Sequence, residues 1–224
     1  EIYFNITDAD GATSLNASSA KAEITYNGIN RTGFACSNVI NISTLAVWNC
    51  SVSFNYWDNA SNNWKINASI KDDKQLEGTN STGNFTYNKL SAMQLPKASV
   101  NFTNISLGDT NKAAANNPLI LNNTGNDDFD NINITAYDLV GISITTEILG
   151  VGNITVNYTN IAPGFVMINN TQVRIADAIL THGNPNNGLG NTSLYFFITL
   201  PSSGLSIQGF NITQSWVVRA YNEP

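Results

Sequence analysis

GNITVNYTN, residues 152–160, holds two N-x-T triplets, Asn153-Ile154-Thr155 and Asn157-Tyr158-Thr159. Each triplet is the acceptor pattern for N-linked glycosylation, yet a large apolar side chain fills each central position. A β-strand alternates its side chains between two faces. Laid out as a strand, Asn153, Thr155, Asn157 and Thr159 face one way, and Ile154, Val156 and Tyr158 face the other. One face can then pack a core while the other carries carbohydrate.

The same layout recurs along the chain. IYFNIT sets Ile2, Phe4 and Ile6 against Asn5 and Thr7, and NCSVSFNYW groups Cys50, Val52, Phe54 and Tyr56 opposite Asn49 and Ser51. WKINASI groups Trp64, Ile66, Ala68 and Ile70 opposite Asn67 and Ser69, and INIT (132–135) and FNITQSWVV (210–218) follow suit. Turn chemistry punctuates these runs: DADG (8–11), NG (27–28), DNASNN (58–63), GND (125–127), NPNNG (184–188) and PSSG (201–204). No helical period competes, and KAAAN (112–116) suffices for one helical turn at most. Short alternating strands between such turns indicate an all-β chain of β-sandwiches. Pro96 interrupts KLSAMQLPKAS, and a fresh alternating series starts at Val100. Two tandem β-sandwich domains are therefore expected, 1–95 and 96–224, with one domain of two large sheets as the alternative.

Charged residues make up only 12% of the 224, against roughly 25% in an average soluble domain. Asparagine fills the gap, with 36 residues beside 40 serines and threonines. That composition alone predicts about 6 acceptor triplets, but 18 are present, at Asn5, Asn16, Asn30, Asn41, Asn49, Asn59, Asn67, Asn80, Asn84, Asn101, Asn104, Asn122, Asn133, Asn153, Asn157, Asn169, Asn191 and Asn211. Turn residues cluster anyway, which is the bland account of the excess. It fails for the triplets centred on Ile6, Ile42, Phe85, Phe102, Ile105, Ile134, Ile154, Tyr158 and Ile212, because such residues belong to strands.

The net charge is −6 and the ten basic residues are scattered singly, so no basic patch exists to neutralise nucleic-acid phosphates. No run of 18 or more apolar residues predicts a membrane span. EIYFNITDADG lacks the basic and apolar regions of a signal peptide, so Glu1 of an exported protein is expected to follow a removed leader. A long apolar N-terminal helix of the type IV pilin or archaellin kind is not written here either. Cys36 and Cys50 are the two cysteines; in an oxidising compartment they are expected to pair and close a short loop, the alternative being two buried thiols.

PLILNNTGNDDFDNINITAYDLVG (118–141) is similar to the strand–turn–strand of the cell-adhesion-related immunoglobulin-like domains of archaeal and bacterial surface proteins. The shared elements are an apolar strand, then NTGN, then a second strand ending in a polar turn. WNCSVSFNYWDNASNNWKINASIKDD (48–73) resembles the cysteine-plus-tryptophan hairpin of immunoglobulin-like repeats in archaeal secreted glycoproteins. The resemblance covers about a quarter of the chain. It implies tandem immunoglobulin-like β-sandwiches, an extracellular cell-surface location, and adhesion, spacing or assembly rather than catalysis. Cys36 and Cys50 stand too close in sequence for the usual inter-sheet bridge, so their bond is expected to staple one loop or hairpin.

No GxSxG, HExxH, GxxxxGK[ST] or CxxC pattern occurs, and the chain is expected not to be an enzyme. His182, the only histidine, lies in LTHGNPNNG, where a solvated surface ring is expected. Asp8 with Asp10, and Asp127 with Asp128 and Asp130, form acidic turns of the kind that can hold Ca²⁺. Acidic residues bonding their own backbone explain both turns more simply, so no metal or other cofactor is expected beyond covalent glycans. Trp64 and Trp216 fall in phase with core positions, whereas Trp57 has the opposite parity and is expected to be exposed.

The expected function is that of a structural subunit of an archaeal extracellular filament, a self-assembling, heavily N-glycosylated homopolymer joined by β-strand donation. EIYFNIT, with Ile2, Phe4 and Ile6 as its apolar knobs, is the donor candidate, and QSWVVRAYN is the second. The competing placement makes EIYFNIT the first strand of its own domain. An adhesin or S-layer-type sugar-binding ectodomain, touching other cells or surfaces, is the alternative function. A hydrolase working through two converging carboxylates is the third.

Overall fold

The structure, a computed structural model, describes residues 1–222. Within β1 (Ile2–Thr7), Ile2, Phe4 and Ile6 turn inward while Tyr3, Asn5 and Thr7 are exposed, so the expected parity is realised residue by residue. Six further strands follow in the first unit: β2 (Lys21–Tyr26), β3 (Ile29–Gly33), β4 (Ala35–Ile42), β5 (Leu45–Ser51), β6 (Ser61–Lys71) and β7 (Glu77–Tyr87). They form an antiparallel three-stranded sheet in the order β1-β5-β4 and a four-stranded sheet in the order β3-β2-β6-β7. Asn27 and Gly28 close the β2–β3 hairpin in two residues with φ of 47° and 82°. Those are the left-handed values that a primed hairpin turn demands and that Asn-Gly tolerates.

The two sheets share apolar packing. Phe4, Ile6, Ala46 and Trp48 of the first sheet meet Ile70 of the second, and Ala12, Leu15 and Ala20 from the β1–β2 connection complete the cluster. An aromatic group surrounds Trp64: Phe54 lies edge-on at 5.0 Å, and Phe54 also contacts Phe85 at 5.3 Å and Tyr87 at 4.7 Å.

NCSVSFNYW is accordingly not one strand. Strand β5 stops at Ser51, because Phe54 leaves the pleat to enter the aromatic group and Asp58 fixes the next turn. The buried carboxylate of Asp58 accepts from the backbone N–H of Asn55 (2.9 Å) and from Nε of Arg31 (3.0 Å). Tyr56 is exposed, and Trp57, expected to be open, is half-buried with Tyr56 edge-on to it.

The chain divides into two compact units between Leu90 and Ser91. Pro96 does not mark the division, since Met93 and Gln94 pair with Asn123 and Asn122 inside the second unit. That unit comprises β8 (Met93–Gln94), β9 (Lys112–Ala113), β10 (Leu119–Asn123), β11 (Asn131–Ala136), β12 (Leu139–Gly141), β13 (Ile148–Leu149), β14 (Ile154–Asn157), β15 (Phe165–Val166), β16 (Thr171–Ile175), β17 (Asn191–Ile198), β18 (Phe210–Ile212) and β19 (Val217–Tyr221). A six-stranded sheet runs β15-β14-β17-β10-β8 with β9 beside β17, and two three-stranded sheets run β16-β11-β19 and β13-β12-β18. One apolar cluster joins Leu121, Val156, Leu194 and Phe196 of the large sheet to Ile132, Ile134 and Ile175 of the β16-β11-β19 sheet.

Three sequence expectations change here. Residues 112–113 pair with β17 instead of starting a helical turn, which sets Ala114 into the core. FNITQSWVV splits into β18 and β19, strands of different sheets. The break follows from Trp216, whose ring packs against Phe196 and whose Nε1–H donates to the carbonyl of Tyr137 at 3.0 Å. GNITVNYTN contributes only Ile154–Asn157 to a strand: Asn153 ends a short 3₁₀ turn, and Tyr158 lies beyond the strand and is exposed. Thr155, assigned to the open face, is buried, because β14 lies between β15 and β17.

Candidate functional site

None of the eighteen acceptor asparagines is buried. Ten are exposed (Asn5, Asn30, Asn41, Asn80, Asn84, Asn101, Asn104, Asn169, Asn191 and Asn211), and eight are half-buried (Asn16, Asn49, Asn59, Asn67, Asn122, Asn133, Asn153 and Asn157). Position in the sheets sorts them, a distinction that alternation cannot supply. Asn5, Asn30, Asn41, Asn80, Asn84 and Asn211 stand on edge strands β1, β3, β4, β7 and β18. Asn49, Asn67, Asn122, Asn133 and Asn157 stand on strands flanked on both sides, namely β5, β6, β10, β11 and β14. Asn191 is on the flanked strand β17 but is its first residue, and there it remains exposed.

Flanked acceptors lose polar freedom. The Oδ1 atoms of Asn49 and Asn133, the hydroxyl of Ser69 in the Asn67 triplet and that of Thr155 in the Asn153 triplet are buried without a hydrogen-bond partner. Asn153 Nδ2 donates to the carbonyl of Gly150 (2.9 Å), and Asn157 Nδ2 to that of Ile161 (2.8 Å). Glycosylation joins sugar to Nδ2, so these two nitrogens are engaged in the folded chain. At the edge, Asn80 Oδ1 accepts from both the N–H (2.9 Å) and the hydroxyl (2.8 Å) of Thr82. This local turn chemistry of short polar side chains leaves the amide facing outward.

Cys36 and Cys50 form a disulfide, and they are directly opposed residues of the β4–β5 hairpin with Cα atoms 4.1 Å apart. The bond staples a hairpin, as expected.

Within each acidic turn the carboxylates engage separate partners. Asp8 accepts from the hydroxyl of Ser14 (2.6 Å) and the N–H of Asp10 (2.9 Å), which holds its carboxyl below the usual range, while Asp10 pairs with Lys74. Asp127 is buried and accepts from Ser91 Oγ (2.7 Å) and Asn222 Nδ2 (2.5 Å). Asp128 instead binds His182, through both its backbone N–H and its Nδ1, each at 2.7 Å. The expected solvated imidazole is thus half-buried and partnered. Among the described residues no group of three or more His, Cys, Asp or Glu is placed to hold a metal ion. No helix among them is long and apolar enough to cross a membrane.

Two polar features escaped the sequence. Arg31 and Asp58 pair across the first unit, with Arg31 NH2 2.5 Å from Asp58 Oδ1, and that contact raises the guanidinium pKa further. Asn123 is buried and organises the 123–127 turn, accepting from the N–H of Gly125 (2.9 Å) and donating to the carbonyl of Asp127 (2.7 Å). No alternation or spacing signal marks either, because both depend on partners brought together by the fold. No protein-family model, curated protein or solved structure matches the chain.

Proposed function

We propose that the chain is a non-enzymatic structural subunit of an archaeal extracellular cell-surface filament, N-glycosylated and built of immunoglobulin-like β-sandwiches. The observation that carries the reading is that twelve of the eighteen acceptor asparagines stand on strands, yet none of the eighteen is buried. A chain with 12% charged residues has little else with which to keep so much sheet surface hydrated.

Strand donation is the proposed joint. Strand β1 sits at a sheet edge, where it pairs with β5 from Ile2 opposite Cys50 to Thr7 opposite Leu45. Its apolar knobs Phe4 and Ile6 enter the cluster around Trp48. In the donated form, β1 of one subunit takes the same register on β5 of the next, with residues 8–20 as the hinge. Backbone hydrogen bonds then give strength, and the pockets for Ile2, Phe4 and Ile6 give register.

Cysteines at two opposed positions test this: Tyr3→Cys with Asn49→Cys, since those residues face each other across β1 and β5. Oxidised filaments run on a non-reducing gel should show a ladder of covalent multimers. Crosslinking confined to single chains would rule out donation, and a monodisperse particle that never polymerises would favour an adhesin ectodomain. Intact mass before and after deglycosylation tests the sugar separately.

A further inference from the structure

An edge strand presents a row of unpaired N–H and C=O groups on which another chain can build, and proteins usually blunt such edges with charge or proline. The first unit does neither. Strands β1 and β4 contain no charged residue, β3 has only Arg31, which is committed to Asp58, and β7 has only Glu77, at its first position. None of the four contains proline or lysine. Strand β4 is the most hazardous, because Val39, Ile40 and Ile42 are 50%, 43% and 63% exposed on an uncharged eight-residue edge. Its irregularity between Asn38 and Ile40 is the only customary safeguard, and segments this β-prone and uncharged readily template further strands.

Every one of these edges carries an exposed acceptor: Asn5 on β1, Asn30 on β3, Asn41 on β4, and Asn80 with Asn84 on β7. The interior strands differ. Strand β2 has none, and the acceptors of β5 and β6 are half-buried beside buried, unpartnered polar atoms. An incoming strand must settle about 4.8 Å from the edge, and a sugar linked to an edge side chain overhangs that space.

We infer that N-linked carbohydrate on Asn5, Asn30, Asn41, Asn80 and Asn84 is the edge guard of the first unit, doing there what lysine does elsewhere and preventing unprogrammed β-pairing with a second copy of this chain. The inference rests on the glycosylation part of the proposed function, and it assigns these sugars a role in controlling association beyond hydration.

The test uses the full chain secreted from an N-glycosylating host. Asn41→Gln and the combined Asn41→Gln, Asn80→Gln, Asn84→Gln variant remove edge sugar while keeping an amide. Ser43→Asn breaks the Asn41 triplet by a second route, and asparagine tolerates the positive φ of 54° at that position. Asn101→Gln with Ser106→Ala removes sugar from two exposed acceptors outside any strand, the second change breaking the Asn104 triplet while keeping asparagine at its positive φ of 55°. Light scattering and the amide-I band of intermolecular sheet should rise severalfold in the edge variants and stay at the wild-type level in the off-strand control. Equal association in edge and off-strand variants overturns the inference alone. Intact mass that finds no sugar on the five edge asparagines of the wild type overturns it together with the glycosylation reading.

Discussion

Removing the Cys36–Cys50 bond, by Cys36→Ala with Cys50→Ala, should unfold the first unit at markedly lower denaturant. The two residues are 14 apart in sequence and directly opposed in the β4–β5 hairpin. Closing a loop of about 15 residues limits the unfolded chain by about 3 kcal/mol at 25 °C. Cys50 is fully buried and Cys36 packs on the Trp48 cluster, so truncating both adds about 1 kcal/mol of lost packing. Residual hairpin structure in the unfolded state works the other way, leaving a net loss of about 3 kcal/mol. The loss is large because the cluster it staples is lean: three of its five buried members are alanines, whereas the cluster of the second unit is filled by Ile, Leu, Val, Phe and Met. Urea titration followed by tryptophan fluorescence is the assay, since Trp48, Trp57 and Trp64 all lie in the first unit. At an m-value of about 2 kcal/mol/M, the midpoint should fall by about 1.5 M. A shift below about 0.5 M would refute the argument that chain entropy and a thin core make this bond decisive.

Further outcomes follow from single contacts. A Cβ built on Gly33 would lie 2.1 Å from the carbonyl oxygen of Ser51, so Gly33→Ala should cost about 1–3 kcal/mol, seen as a lower thermal midpoint. Asp58→Asn leaves Arg31 without its buried counter-charge, and a loss of about 3 kcal/mol should appear in the same urea titration; Arg31→Met together with Asp58→Leu should recover part of it. The hydroxyl and N–H of Ser206, joined by Gln208, hold the Glu147 carboxyl below its usual 4.5. Because the folded pKa is depressed, that contribution is present above the ordinary carboxylate range and disappears as pH falls through the folded value. Melting curves from pH 6 to pH 3 should therefore show a smaller acid loss for Glu147→Gln than for wild type.

Much of the local architecture was legible from residue order. Ile2, Phe4 and Ile6 turn inward as their alternation requires, Trp64 and Ile70 are buried, and the paired cysteines staple a hairpin. Where the reading failed, a distant partner had intervened. Phe54 left its strand for Trp64 and Phe85, Trp216 broke a run of alternation by reaching Tyr137 and Phe196, and His182 found Asp128. Sequence spacing carries no trace of these meetings, because each joins segments whose proximity exists only after the sheets have formed.

Alternation is a property of the pleat, imposed residue by residue through covalent geometry, so the order of amino acids was enough to establish an all-β chain whose asparagine acceptors stay clear of the core. Whether a strand lies at an edge or between neighbours is not local. It depends on which distant segments complete the backbone hydrogen bonds on either side. Thr155 is buried because β15 and β17 flank its strand, and Asn41 is open because no strand among the described residues pairs beyond β4. That long-range pairing, invisible to parity, separates acceptors standing free at sheet margins from those hemmed in between strands.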